Sequence, residues 1–392
     1  MPQILVVSGY WPTKGNPISG IFVVQQVTAL ANLGYKVTVL LSKAIGRPLE
    51  PFLTVRELGL PEHQIELVCV GVFRLPEVLS SSVPALAINT SLSGFIYSNK
   101  IKGLTRRLGP FSGCILHGTR YAFLSLPRWR KHLSTTVVSV VHGVDPFLER
   151  ISEKPGGASI LKSGAMASKS VVLVGSPLKP YVIKLGVPLE KQVVIANGTD
   201  IPSLGGSKDF KDKATPKVRL ISVSNLVRLK GIDCNIKALS IMAKRNPELD
   251  FEYLVIGDGP ERENLERLSK ELGLENRVNF MGRIGYNETM DEVFASDIFT
   301  LPSWGEAFGI VYLEAMARAK PVIGCYENGA EDIFEHGKQG FLINPKDVDG
   351  LAASLEVLIS DENLRNKMGV EGRRLAENYT WENNARNILS LL

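Results

Sequence analysis

The sequence predicts an α/β protein built from two parallel-sheet domains. Three observations lead there. Short apolar, β-branched runs alternate with helix-period segments from the first residues to the last, a pattern that implies parallel sheets. The chain has 392 residues, more than one hydrophobic core usually organises. Its charge also changes sign along its length. Residues 1–200 hold 21 Lys and Arg against 10 Asp and Glu, a net of +11, and residues 201–392 hold 24 against 30, a net of −6. At 44% hydrophobic and 22% charged residues the composition is that of an ordinary globular protein. Cysteines at 69, 114, 234 and 325 match no metal-ligand spacing and are expected to be free thiols, mostly buried, in a reducing compartment. The opening MPQILVVSGYW reads as a first strand rather than a signal peptide, and no run reaches the roughly 18–20 apolar residues of a membrane span. A cytoplasmic protein is expected.

In the first half, Ile4 to Val7 is a strand and Ser8 to Gly20 a loop rich in Gly and Pro. Ile21 to Leu33 has helical spacing, and Val37 to Leu41 is the next strand. The loop matches neither GxGxxG nor the Gly-Lys-Ser/Thr phosphate loop. Val55 and Ile65 to Val70 are candidate strands. Residues 84–111 mix Leu86, Ile88, Leu92, Phe95, Ile101 and Leu104 with Lys100, Lys102, Arg106 and Arg107. They read either as a helix packed on the sheet with a wet basic side, or as an amphipathic helix that lies on an anionic bilayer. The basic half suggests an anionic partner. No zinc finger, RNP-like motif or Arg-rich reading helix points to nucleic acid. A membrane surface, a phosphate-bearing substrate or a solvated face without function all fit. Cys114 to Leu116 and Thr136 to Val141 are buried strands, the second ending in His142-Gly143-Val144-Asp145. Parallel sheets bind ligands at the C-terminal ends of their strands, which makes His142 a candidate; a neutral imidazole donates to a hydroxyl or relays a proton. Val171 to Val174, a short helix at 181–185 and Gln192 to Ile195 complete the half.

Residues 201–217 are polar and rich in Gly and Pro, a linker or the start of the second domain. Strands follow at 218–223, 251–256, 278–281, 298–301, 321–324 and 340–343, with helices at 232–242, 263–272, 287–295, 311–318, 348–358 and 362–377 and a last helix from Trp381. Lys230 beside Gly231 stands at a helix entrance, well placed to pair with a phosphate. Leu301 to Gly324 reads turn, acidic loop, apolar helix, strand. Glu306 in the loop and Glu314 in the helix can accept hydrogen bonds from hydroxyls. On spacing alone they read equally well as surface acids.

Glu306, Phe308, Gly309 and Glu314, with Glu-Ala-Met-Ala at 314–317 and Pro321-Val322-Ile323 after them, resemble the nucleotide-sugar signature of the retaining glycosyltransferases of family 4. His142-Gly143-Val144-Asp145, Asn197-Gly198-Thr199-Asp200 and Lys230-Gly231 resemble further motifs of that family in the right order. The resemblance covers nearly the whole chain and is weakest over residues 43–110. It implies a GT-B fold, two Rossmann-like domains facing a cleft: an acceptor-side domain over 1–198, a nucleotide-sugar domain over 199–376, and a last helix over 377–392 that returns to the first domain. It also implies site roles. His142 would touch the donor sugar, Gly20 would approach its diphosphate, and Lys230 would hold that diphosphate as it leaves. Backbone at Gly282 would border the base, with Glu306 near the transferred sugar and Glu314 on the ribose. Phe308, Gly309 and Ile310 would line the diphosphate approach through backbone N–H groups. His117 matches a second family histidine. One position departs: the family commonly has Gly-Arg where this chain has Ser224-Asn225, so Asn225 replaces a cation and Arg228 is its candidate substitute.

The implied reaction is retaining transfer of a hexose-type sugar from a UDP-, GDP- or ADP-linked donor to a glycan or lipid-linked acceptor, as in cell-surface polysaccharide or glycolipid synthesis. No cofactor is expected, and the sequence is read as having no Asp-x-Asp motif for a divalent ion. The leaving diphosphate itself would accept the acceptor's proton. Residues 84–111 would place the protein peripherally on the inner face of the plasma membrane. The alternatives are a hydrolase or epimerase on the same fold, a catalytically silent sugar-nucleotide-binding scaffold, and a two-domain small-molecule binder without transfer chemistry.

Overall fold

The computed structural model describes residues 1–44, 51–72, 82–118, 120–204 and 217–392. The chain divides into two compact units, residues 1–197 with 381–392, and residues 198–380. Of the linker expected at 201–217, residues 205–216 lie outside the described residues.

The first unit begins with β1 (Gln3–Ser8), α1 (Ile21–Asn32), β2 (Lys36–Ala44), β3 (Ile65–Val72) and α2 (Val83–Leu108). It continues with β4 (Gly113–His117), α3 (Arg120–Leu124), α4 (Leu126–Trp129), β5 (Val137–Val141), α5 (Pro146–Ser152), α6 (Gly157–Ala167), β6 (Ser170–Leu173), α7 (Lys179–Lys184) and β7 (Gln192–Val194). The strands form one parallel sheet in the order β3-β2-β1-β4-β5-β6-β7. Ile4 to Val7 are all buried, the continuous apolar run of a strand covered on both faces. The long helix α2 packs Tyr97, Ile101 and Leu104 onto this core beside Trp129. Val55 is a correction: it lies in a turn, which Glu57 closes by accepting from the backbone N–H of Thr54 at 2.8 Å. Helices α3 to α6 were not expected from the sequence.

The second unit contains β8 (Val218–Val223), α8 (Ile232–Arg245), β9 (Phe251–Ile256), α9 (Arg262–Glu271), β10 (Val278–Gly282), α10 (Tyr286–Ala295) and β11 (Ile298–Thr300). Then come α11 (Ile310–Met316), β12 (Val322–Cys325), β13 (Gly340–Ile343), α12 (Val348–Ser360) and α13 (Glu362–Ala376). This sheet is also parallel, in the order β10-β9-β8-β11-β12-β13. A buried polar knot ties α8 to three of its strands. Asn235 donates to the Tyr253 hydroxyl at 2.8 Å and accepts from the Thr300 hydroxyl at 2.8 Å, and Ser222 shares a proton with Tyr253 at 2.6 Å. Cys114, Cys234 and Cys325 are buried and Cys69 exposed; all four are free thiols.

The last helix, α14 (Trp381–Leu389), belongs to the first unit, where it packs on α1. Its buried side carries Trp381, Asn384, Ala385 and Ile388. Asn384 accepts from Gln26 of α1 at 2.7 Å and donates to the Ala196 carbonyl at 2.7 Å. Ile388 is fully buried, so Ile388→Ala is expected to cost the first unit about 2–4 kcal/mol, measured as the shift of its urea unfolding transition.

Candidate functional site

Both strand orders reverse once, between β1 and β4 in the first sheet and between β8 and β11 in the second. Such switch points open a crevice beyond the strand ends, where α/β sheets take ligands. Lys230 and Glu306 follow the strands that flank the second switch point, Gly20 and His117 lie on the loop and strand that flank the first, and His142 and Gly282 stand after β5 and at the end of β10.

In the second unit the loop after β8 brings Lys230 and the loop after β11 brings Glu306. The Lys230 ammonium lies 2.5 Å from the Glu306 carboxylate, with side chains 20% and 12% exposed. The loops interlock through backbone. Trp304 N–H donates to the Leu229 carbonyl at 3.0 Å, and the Ser303 hydroxyl donates to the same oxygen at 3.0 Å. Gly231 has φ +67°, and a Cβ there would lie 2.3 Å from the Pro302 carbonyl oxygen, so only glycine lets the loops approach this closely. Gly309 starts α11, flanked by buried Phe308 and by Ile310 at the first helical position. Asn328 donates to the Ser303 carbonyl at 2.9 Å, and Gly329 N–H donates to the Glu306 carbonyl at 3.0 Å. Neither Asn328 nor Gly329 was singled out in the sequence.

Glu314 sits in α11 and is buried. It accepts from the Tyr286 hydroxyl at 2.9 Å. Burial pushes its carboxyl above the usual range, helped by Asp200, while Tyr286 and Arg318 oppose the shift. The partner Tyr286, at the start of α10, was missed in the sequence because an isolated tyrosine carries no spacing signal. Gly282 ends β10, with its carbonyl accepting from Gly257 N–H at 2.8 Å. Asn225 and Arg228 are both exposed. Arg228 lines a small cavity with Asp233 and Glu261, and among the described residues it makes no ion pair.

One expectation needs correction. The chain does carry an Asp-x-Asp run, Asp347-Val348-Asp349. Asp347 caps α12 by accepting from Gly350 N–H at 2.8 Å, and Asp349 faces Arg245 at 3.2 Å, so both carboxylates serve the helix and its neighbour. Among the described residues no three His, Cys, Asp or Glu side chains gather as a metal site.

In the first unit, β4 ends in His117 and β5 is followed by His142. His117 Nδ1 lies 2.8 Å from His142 Nε2, and the rings stack with centroids 5.1 Å apart. One nitrogen of the pair donates to the other, so the tautomer of one ring fixes that of its neighbour. Phe22 packs on His142 at 4.2 Å between centroids, and Tyr10 stands edge-on at 6.2 Å. His142 Nδ1 is buried and has no hydrogen-bond partner. Burial lowers both imidazoles: His117 falls to about 3, and His142 lies well below its ordinary value, pushed further by His117. Both are therefore neutral at pH 7. Gly20 caps α1 with φ +71°, and a Cβ there would meet the Trp11 backbone nitrogen at 2.5 Å, so its own chain already requires the glycine.

Beside the histidines, Arg120 makes two hydrogen bonds to Asp145, at 2.9 and 2.8 Å, and lies over the Phe147 ring at 4.0 Å. Asp145 also caps α5, accepting from Phe147 N–H at 2.9 Å, and its own N–H donates to the Tyr181 hydroxyl oxygen at 3.0 Å. Burial raises the Tyr181 phenol to about 12. Arg120 and Tyr181 were not found from sequence; their pairing depends on α3 and α7 meeting the same loop.

Two Rossmann-like parallel-sheet units define a GT-B fold. Residues 207–375 match the family described as Glycosyl transferases group 1. Curated relatives agree over part of the chain. A D-inositol 3-phosphate glycosyltransferase of Corynebacterium urealyticum is 33% identical over 175 residues, 43% of this chain and 41% of that protein. An N-acetyl-alpha-D-glucosaminyl L-malate synthase of Bacillus anthracis is 30% identical over 246 residues, 60% and 62% of the two chains. The chain thus spans about half the length of the curated relatives it matches. Solved structures agree in fold over the whole length. Sucrose-phosphate synthase from Thermosynechococcus elongatus aligns with TM-score 0.75 at 18% identity, covering 100% of this chain and 98% of that one. Anabaena Alr3699/HepE in complex with UDP aligns with TM-score 0.71 at 19% identity, covering 100% and 99%.

The neutral histidine pair gives a pH prediction. Its folded-state values lie below the unfolded value of 6.5, so the unfolded chain binds more protons as pH falls. The stability this preserves is complete above pH 6.5 and declines as pH drops below it. Between pH 6.5 and 5 the loss attached to His117 is about 2 kcal/mol. His117→Asn should flatten the dependence, measured as the pH profile of thermal unfolding.

Proposed function

We propose that the protein is a retaining, metal-independent glycosyltransferase that moves a hexose-type sugar from a nucleotide-sugar to a glycan or lipid-linked acceptor. The observation that carries this reading is the Lys230–Glu306 pair at the second unit's switch point, inside the residues matching the group 1 family. A donor diphosphate would exchange with the carboxylate for the lysine, and Glu306 would be released toward a sugar hydroxyl. The ammonium would then stabilise charge that develops as the diphosphate leaves. Glu314, paired with Tyr286, would accept from the ribose hydroxyls, while backbone at Phe308, Gly309, Ile310 and Gly282 would flank the diphosphate and the base. Arg228, free of an ion pair among the described residues, is the cation left to answer for Asn225. His142, neutral and with Nδ1 unsatisfied, would meet an acceptor hydroxyl on the first unit. Anabaena HepE was solved with UDP and glucose, which favours a UDP-linked donor.

The test is calorimetric titration of UDP-, GDP- and ADP-hexoses without added metal. One donor class should bind, Lys230→Ala should weaken it roughly 10–100-fold, and EDTA should leave both binding and turnover unchanged. The product anomer, read by NMR, should keep the donor's configuration; inversion would overturn the retaining assignment. Donor binding with no product from any acceptor would favour the silent-scaffold reading.

Peripheral membrane association is proposed for α2. One of its lines exposes Ile88, Leu92 and Phe95 to 57%, 43% and 66%. Their spacing of four and three residues puts them on one face, which continues through Lys102 and Arg106. Burial lowers His132, and Lys102 and Lys131 lower it further, so positive charge gathers beside the helix. No helix among the described residues is long and apolar enough to cross a membrane. Vesicles of phosphatidylglycerol should sediment the protein at low salt, less at 0.5 M salt, and Phe95→Asp should abolish it while leaving stability within about 0.5 kcal/mol.

A further inference from the structure

A cavity of about 500 Å³ opens beside His142 within the first unit. The C-terminal ends of β4 and β5 form one wall, and the other is formed by Leu148 of α5, Val182 of α7 and Leu185 just after α7. Protein interiors leave few voids larger than a water molecule, whereas ligand pockets run to roughly 300–1,000 Å³ with mostly apolar walls. This cavity belongs with the second group.

The polar side chains of its lining are few: Arg120, His142, Asp145, Tyr181, Tyr10 and Ser139. Arg120 and Asp145, the charged pair among the described residues lining it, satisfy each other through two hydrogen bonds. The Tyr181 hydroxyl accepts from Asp145 N–H at the same rim. Deeper in the wall, Ser139 is bonded to Ser168 at 2.7 Å. The remaining inner lining is hydrocarbon, including Val171, Val182 and Val187, all buried. Away from His142, a sugar hydroxyl taken among these valines would give up water without a partner, a loss that a hydrocarbon does not suffer. Removing apolar surface from water favours the hydrocarbon outright.

We propose that this cavity receives the hydrocarbon chain of a lipid-linked acceptor, whose polar head is held at the mouth against Tyr10, His142 and the Arg120–Asp145 pair. The assignment of the occupant as an acceptor rests on the glycosyltransferase reading above. It separates the two acceptor classes left open there. A free glycan has nothing to put in the cavity, and an amphiphile fills it. The exposed apolar and basic line of α2, on the same unit, suits a protein that meets such an amphiphile in a membrane.

The experiment uses the full chain and a soluble probe, 11-(dansylamino)undecanoic acid. Its emission should shift to the blue with saturable binding, and n-octyl glucoside below its micelle concentration should displace it while glucose does not. Val182→Trp and Leu148→Trp place an indole in the cavity from two different helices. Each should weaken probe binding by about tenfold or more, equivalent to about 1.4 kcal/mol, with the nucleotide-sugar affinity of the second unit unchanged. Absence of saturable binding overturns the proposal. So does equal displacement by glucose, or wild-type binding in both Trp variants when each melts cooperatively. The two readings fail separately: probe binding without any donor binding would retain the hydrocarbon site and remove the transferase, and donor binding without probe binding would do the reverse.

Discussion

Parallel pairing is the constraint on which the rest of this structure depends. When every strand of a sheet runs the same way, every strand delivers its following loop to one edge, and each return must cross a face as a helix. A reversal of strand order then leaves one gap between neighbouring loops. Here that gap is what joins Lys230 and Glu306, 76 positions apart, while His117 and His142, 25 positions apart, meet at the ends of the neighbouring parallel strands β4 and β5. No local sequence feature would bring either pair together. The chemistry of both clusters follows from topology first and from side-chain type second.

What the topology assembles, close backbone contact then holds. In the second unit the two site loops touch main chain to main chain at Gly231 and Pro302, and Asn328 binds the turn from a third direction. Beneath them the Asn235–Tyr253–Ser222–Thr300 knot satisfies its polar atoms within the core. A satisfied buried network of this kind admits few alternative packings, which gives the strands under the site a defined register. The first unit uses a different device. The Asp145 carboxylate neutralises Arg120 and caps α5 while its backbone N–H holds the Tyr181 hydroxyl, so a single residue organises the rim of the cavity.

The alternation of strands and helices was legible because parallel strands buried on both faces are written as continuous apolar runs, as at Ile4 to Val7. The signature residues were legible because they lie close together in the chain. Helices α3 to α6 were not, since they are short and their apolar residues face several neighbours rather than one stripe. Val55 looked like strand by residue type, yet a Thr54–Glu57 turn overrode that preference. Arg120–Asp145 and Glu314–Tyr286 were invisible for one reason: each joins residues more than 20 positions apart on different elements. Asp347-Val348-Asp349 shows the opposite hazard, a recognisable run whose carboxylates are occupied by helix capping and an arginine.

The seating of α14 on α1 has a consequence for biogenesis. The first unit's sheet is complete by β7, but the helix that covers α1 and bonds Gln26 and Ala196 lies beyond the whole second unit. At a synthesis rate of about 5–20 residues per second, the ribosome takes roughly 10–40 seconds to traverse residues 198–380. Throughout that interval the groove awaiting Ile388 and Ala385 is uncovered, and the nascent first unit is a surface that chaperones can hold. Completion of the early unit is thereby timed by translation of the late one.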